Sequence, residues 1–264
     1  MRRVYALAAA TVACLAGSVL AFVSPWFLLC LLPAALFGYI TLLLVLTVYR
    51  FSPRGGDYQQ RIHQLIADEA GTHPGTVLDV GCGSGSLAIA VAVTAPECTV
   101  VGIDAWGQDW EYSRRQCEDN ARCVGVADRV TFHQQSAAAL TFPDASFDTV
   151  VSCLTFHEVR DAPDRADAVA EALRVLRPGG RFVFMDLFAD PGHFTSVQHV
   201  RDTVARSGSS IIQERALHEL LALPYPLRHG KVLPHAMLLT GRCDQGPAAG
   251  TGTADDASPS YGAS

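Results

Sequence analysis

The chain has 264 residues, of which 49% are hydrophobic and only 17% charged, and its mean hydropathy is +0.20. This composition excludes a disordered chain and a disulfide-held miniprotein, and a net charge of −6 excludes a basic nucleic-acid binder. The apolar residues are concentrated at the front, where Val4 to Tyr49 contains no Asp, Glu, Lys, Arg or His.

One bilayer span takes about 20 helical residues, so this stretch is long enough for two. Ser24-Pro25 divides it into Val4–Val23 and Trp26–Tyr49, each able to cross about 30 Å. The expectation is a transmembrane helical hairpin over residues 1–50. Tyr5, Trp26 and Tyr49 are its interfacial aromatics, and Pro33 lies inside the second span. Arg2 and Arg3 precede the first span, and Arg50, Arg54 and Arg61 follow the second. That bias puts both termini and the rest of the chain in the cytoplasm. The competing readings are a signal peptide, suggested by Ala16-Gly17-Ser18, and an apolar hairpin buried in a soluble fold.

Arg50–Gly56 reads as a Pro/Gly/Arg linker, and residues 51–243 as one ordinary domain. Residues 244–264 hold too few large apolar side chains to offset their ordering entropy and are expected to be disordered. Within the domain, strand-like runs occur at Thr76–Val80, Thr99–Asp104, Arg129–His133, Phe147–Ser152 and Arg181–Asp186. Helical patterns fill the gaps, clearest over Asp164–Leu176, which Pro178-Gly179-Gly180 stops. Ser210–Gln213 and Ala236–Thr240 are candidate edge strands. The alternation predicts an α/β fold with a doubly wound, mostly parallel sheet.

The informative motif is Val77-Leu78-Asp79-Val80-Gly81-Cys82-Gly83-Ser84-Gly85-Ser86, a strand that enters a glycine loop opening a helix. Glycines let backbone approach a ligand closely, and a helix N-terminus offers free N–H groups. Asp104, at the end of the next strand, is positioned to accept bonds from ribose hydroxyls. The loop reads GxGxG rather than the GxGxxG of dinucleotide sites, and no Walker GK[ST] follows. Asp79 would repel a diphosphate but suits an ammonium or sulfonium group. Together these features point to S-adenosylmethionine.

Residues 76–188 resemble the class I S-adenosylmethionine-dependent methyltransferases, especially the branch of ubiquinone/menaquinone-biosynthesis-like enzymes. Four ordered motifs carry the resemblance: VLDVGCGSG, VVGIDAW, FPDASFDTVVS and ALRVLRPGGRFVFMD. The resemblance implies that Gly81, Gly83 and Gly85, with Cys82 between them, line the methionine part. Asp79 would support the loop and the amino group. Asp104 would hold the ribose, with Ala105 and Trp106 bordering the adenine. The chain departs from the pattern at Ser136-Ala137, where Ser136 replaces the Asp that commonly bonds the adenine amino group. Trp106 to Ser113 is similar to a subgroup with no assigned acceptor.

Methyl transfer needs proximity above all, and a base only where the acceptor must lose a proton. His157 is the candidate catalytic residue, beside Thr155 and Glu158 after the fourth strand; Asp186, Asp190 and His193 after the fifth are further candidates. Asp148 reads as structural. The eight Cys and the scattered His show no metal spacing, so no metal site is expected. The hairpin suggests a small hydrophobic or membrane-associated acceptor such as a lipid, quinone or isoprenoid, with the bilayer as partner through residues 4–49. No nucleic acid is expected. The alternatives are an inactive cofactor-binding membrane scaffold or sensor and, on the same fold, an NAD(P)-dependent oxidoreductase.

Overall fold

The computed structural model describes residues 2–19, 25–107, 112–230 and 232–244. Its centre is a seven-stranded sheet in the order β3-β2-β1-β4-β5-β7-β6. The strands are β1 (Thr76–Val80), β2 (Thr99–Asp104), β3 (Val130–Gln134), β4 (Phe147–Cys153), β5 (Leu176–Asp186), β6 (Ser209–Ala216) and β7 (Met237–Cys243). The first five run parallel, and β7 is antiparallel to both β5 and β6. β1 and β2 fall where the sequence predicts. Of the two candidate edge strands only β6 lies at an edge, because β7 inserts between it and β5.

Helices α3 (Tyr58–Ala70), α4 (Ser86–Thr94) and α5 (Arg114–Val124) belong to the core on one face of the sheet. The other face carries α6 (Arg165–Arg174) and α7 (Val197–Arg206) over a phenylalanine-rich core of Phe156, Phe182, Phe184 and Phe188. Asp164 caps α6: its carboxylate accepts from Ala166 N–H, and Asp167 returns a bond to the Asp164 N–H. That helix ends at Arg174. Leu176 already pairs with Phe147, so the Pro-Gly-Gly run belongs to β5, where Gly179 takes φ +76°.

The front of the chain forms α1 (Arg2–Val19), a 3₁₀ turn at Pro25–Cys30, and α2 (Leu31–Phe51). Gly17 lies against Cys30 and Gly38 against Thr11, the pattern of two antiparallel helices meeting at small residues. The expectation of two spans is not met. Leu28–Phe51, with a hydropathy of 2.4, is the one helix among the described residues long and apolar enough to cross a membrane. The apolar part of α1, Val4–Val19, reaches only about 24 Å at 1.5 Å per residue. Residues 20–24, assigned to the first span and its turn, lie outside the described residues, as do 245–264 of the predicted tail. Pro33 sits in the first turn of α2, directly after the 3₁₀ turn.

The predicted linker is a compact turn. Gly55 and Asp57 N–H both donate to Ser52 O at 3.0 Å, and Tyr49 Oη donates to Arg54 O at 3.1 Å. A side chain at Gly55 would meet the Tyr49 carbonyl, 1.7 Å from a Cβ. α2 is therefore fastened to α3 at a fixed angle.

Candidate active site

The parallel strands end together, and their carboxyl ends carry the candidate residues. Between β1 and α4 the chain turns through Gly81, Gly83 and Gly85, with φ of +76°, +54° and +80°. At Gly81 only glycine fits, since a Cβ would lie 2.1 Å from the Thr155 side chain. The N–H groups of Gly81 and Cys82 both donate to Ile103 O. The Cys82 side chain turns into the core under α5, where a hydrogen bond with Cys117 and burial push its thiol pKa upward. Cys82 can therefore face a ligand only through its backbone.

Asp104 ties this loop to the end of β2. Its Oδ2 accepts from Gly83 N–H at 2.9 Å and its Oδ1 from Trp106 N–H at 3.1 Å. Each oxygen keeps a lone pair for a further donor. Trp106 is buried, and its indole N–H donates to Gly83 O at 2.9 Å, so the ring braces the loop. Ala105 is exposed, and Gln134 clamps the carbonyls of Ala105 and Trp106 at 2.7 and 2.6 Å. Of the run from Trp106 to Ser113, residues 108–111 lie outside the described residues.

Asp79, in β1 just ahead of the loop, is fully buried, and neither of its carboxylate oxygens has a hydrogen-bond partner. Burial pushes its pKa up to about 8; the Ala88 backbone N–H in its vicinity opposes this, and the Asp104 charge adds to it. A buried carboxylate without a partner is costly unless something cationic meets it.

A second group forms between the ends of β4 and β5. Leu154 takes φ +54°, which aims the next two N–H groups at buried Asp186. Asp186 Oδ2 accepts from Thr155 N–H at 3.0 Å and Phe156 N–H at 2.7 Å, and Oδ1 from Leu187 N–H at 2.7 Å. Oδ1 also faces His157 Nδ1 at 2.6 Å. Burial works against a charged His157 ring, but the Asp186 bond and charge, with Glu158, outweigh it. The His157 pKa is held above its ordinary value. His193 stacks edge-on at 5.1 Å from His157, and its buried Nδ1 has no hydrogen-bond partner. Asp190 instead holds its own turn through Gly192 N–H. Asp148 lies at the opposite end of β4, bonded to Thr76 and Arg177, which is a structural role.

Ser136 and Ala137 follow β3. The Ala137 side chain is buried in the core. Ser136 Oγ donates to the Asp161 carboxylate, contributed by the loop after β4. Sequence reasoning missed Asp161, because no local pattern links positions 25 residues apart across two loops. It missed Gln134 as well, although the register pairing Asp104 with Gln134 would have located it.

Residues 78–184 match the family model described as a methyltransferase domain. The chain is 33% identical over 180 residues to the demethylmenaquinone methyltransferase of Deinococcus radiodurans, covering 64% of this chain and 70% of that protein. It is 35% identical over 146 residues to the 27-O-demethylrifamycin SV methyltransferase of Amycolatopsis mediterranei, covering 55% of this chain and 50% of that protein. For some curated relatives, then, the chain spans only about half of their length. Among solved structures, the [4+2]-cyclase SpnF shares the fold at TM-score 0.55 and 22% identity, covering 71% of this chain and 82% of that one.

The residues present fit S-adenosylmethionine. The unpartnered Asp79 carboxylate suits its ammonium or sulfonium, and Asp104, with a lone pair free on each oxygen, stands beside the glycine loop it is bonded to. The pH dependence follows. At neutral pH Asp79 is protonated in the ligand-free protein, and a cation beside it lowers its pKa. Binding of S-adenosylhomocysteine, which keeps the ammonium, is expected to release protons at neutral pH and to tighten as pH rises toward 8. Calorimetry in two buffers of different ionisation enthalpy reads this directly, and Asp79→Asn should abolish the release. With its sheet, its loop and its relatives agreeing, the chain belongs to the class I S-adenosylmethionine-dependent methyltransferases, on the ubiquinone/menaquinone-biosynthesis branch.

Proposed function

We propose that this protein is a membrane-anchored methyltransferase that moves the methyl group of S-adenosylmethionine to a small hydrophobic acceptor of the hydroquinone type. The observation that carries the reading is the buried, unpartnered Asp79 carboxylate beneath the glycine loop, which asks for a cation at that point. S-adenosylmethionine, when bound, supplies a methyl group already activated by positive sulfur. Asp79 holds the amino group, Asp104 the ribose, and the Gly81–Gly85 loop the chain between them. Ala105 and Trp106 border the base, while Ser136 and Asp161 offer polar contacts and Ala137 a backbone contact at its far edge.

His157 acts on the acceptor. With Nδ1 engaged by Asp186, its Nε2, 3.6 Å from the half-exposed Glu158 carboxylate, takes a proton from a phenolic hydroxyl as the acceptor becomes nucleophilic. Because the pKa of His157 is raised, turnover should climb with pH through a midpoint above 6.5. A hydroquinone acceptor is favoured by the relatives that act on demethylmenaquinone or bear ubiquinone/menaquinone names.

The membrane anchor is supported by α2, whose most apolar stretch is only 11% buried and whose Leu32, Leu36, Leu42 and Val48 are exposed. A helix that apolar and that uncovered is solvated by lipid rather than by water. Arg50, Arg54 and Arg61, which follow it, support an exit on the cytoplasmic side. The division into an anchor over 1–50, a catalytic domain over 51–243 and a tail over 244–264 remains part of this proposal.

The test is transfer of labelled methyl from S-adenosylmethionine by the full chain in vesicles, across a panel of membrane-soluble and water-soluble hydroquinones. Turnover is expected with the membrane-soluble acceptors. Binding of S-adenosylhomocysteine with no turnover on any acceptor would favour a cofactor-sensing membrane scaffold instead.

A further inference from the structure

We infer that the crevice edge of the catalytic domain faces the bilayer, with residues 217–236 seated in the membrane interface as the acceptor's entry lip. The inference rests on the membrane reading of α2 given above.

The orientation comes from the chain path. Arg181, at the start of parallel β5, donates to Glu69 O near the C-terminal end of α3. That end of α3 thus lies at the amino edge of the sheet, and its first residue, Tyr58, lies at the carboxyl edge. Tyr58 Oη donates to Ala222 O at 2.9 Å. The segment holding Ala222 joins the end of β6 to the start of β7, where Met237 pairs with Asp186. α2, the turn after it, residues 217–236 and the His157–Asp186 pair therefore share one edge of the sheet.

The segment is also laid along α2. Tyr39 Oη meets His229 Nε2 at 3.1 Å, and Arg50 Nε donates to Tyr225 O at 3.2 Å. Residues 39 and 50 are three turns apart on one face of the helix, so the 225–229 stretch runs beside it. Tyr39 stands twelve residues, about 18 Å, from the end of α2 at Phe51. If α2 spans lipid, Tyr225, held beside Arg50 at the end of the helix, lies at the headgroup level, and His229, held by Tyr39 near the middle of Leu28–Phe51, reaches further along α2 into the acyl region.

Its chemistry suits that place. From Leu220 to Cys243 there is no Asp or Glu, while Arg228, Lys231, His229 and His235 fall among Leu, Val, Pro and Tyr. In a chain of net charge −6 this is a basic, apolar lip, matched to an anionic lipid surface. Behind it, Leu223, Leu227 and Leu233 join one apolar cluster with Leu187 and Leu154, the neighbours of Asp186 and Thr155. A greasy acceptor would pass along this wall without crossing water.

The test places the photo-crosslinker benzoylphenylalanine singly at Leu36, Tyr225 or Thr72 in the full chain. Leu36 is exposed on α2, and Thr72 is exposed at the opposite edge of the sheet. The proteins are reconstituted in phosphatidylethanolamine–phosphatidylglycerol vesicles, irradiated and read by mass spectrometry. Lipid adducts are expected at 36 and 225 and none at 72. Adducts at 36 alone overturn the inference and leave the anchor standing, whereas adducts at none of the three overturn both. Adducts at all three mean indiscriminate adsorption and overturn the inference.

Discussion

Asp186→Ala is expected to cost about 3–5 kcal/mol of stability, the usual loss when one partner of a buried, bonded pair is removed. Three backbone N–H groups, from Thr155, Phe156 and Leu187, would be left without their acceptor in a site where Asp186 itself is fully buried. Against a total of about 5–15 kcal/mol that is a large share, and chemical denaturation measures it. Since this variant can fail to fold, Asp186→Asn separates the roles. Its amide can keep an oxygen toward Thr155 and Phe156 N–H but presents N–H to His157 Nδ1 and leaves Leu187 N–H without its acceptor, at a cost of about 1–3 kcal/mol. The ring must then carry its proton on Nε2 and can no longer accept one there. Asp186→Asn should stay folded and bind S-adenosylhomocysteine nearly as before, yet lose about 10²–10⁴-fold in kcat, the usual worth of a general base.

Asp104→Ala is expected to do the opposite, sparing the fold and removing the cofactor. The residue is half-buried, and its loss leaves Gly83 and Trp106 N–H able to reach water, so the stability cost should stay near 1 kcal/mol. On the proposed assignment the ribose loses its charged acceptor, and the glycine loop loses its tie to the end of β2. Each charge-assisted bond is worth about 1.5–3 kcal/mol, and 1.4 kcal/mol is tenfold in affinity. Two lost contacts should weaken S-adenosylhomocysteine binding by at least about 100-fold, read by calorimetric titration beside a thermal melt.

Much of this geometry was legible before the structure. β1 and β2 stand where the β-branched runs lie, and Asp79, the loop and Asp104 follow from them because short parallel strands end in register. The rest depended on tertiary context. Leu176 looks like the last apolar position of a helix, but its pairing with Phe147 draws it into β5. His157 was visible as a candidate, whereas its bond to Asp186 rests on Leu154 turning left-handed, which no pattern signals. The bond from the Trp106 indole to Gly83 O is likewise a tertiary contact that no local pattern signals. At the front, an uninterrupted apolar run suggested two full spans, yet among the described residues only Leu28–Phe51 is long and apolar enough for one.

The most direct measurement of the central claim is calorimetric titration of the detergent-solubilised full chain with S-adenosylhomocysteine near neutral pH. The account predicts saturable binding of one equivalent, accompanied by release of protons from Asp79. A sample that is folded by circular dichroism and binds none would contradict it.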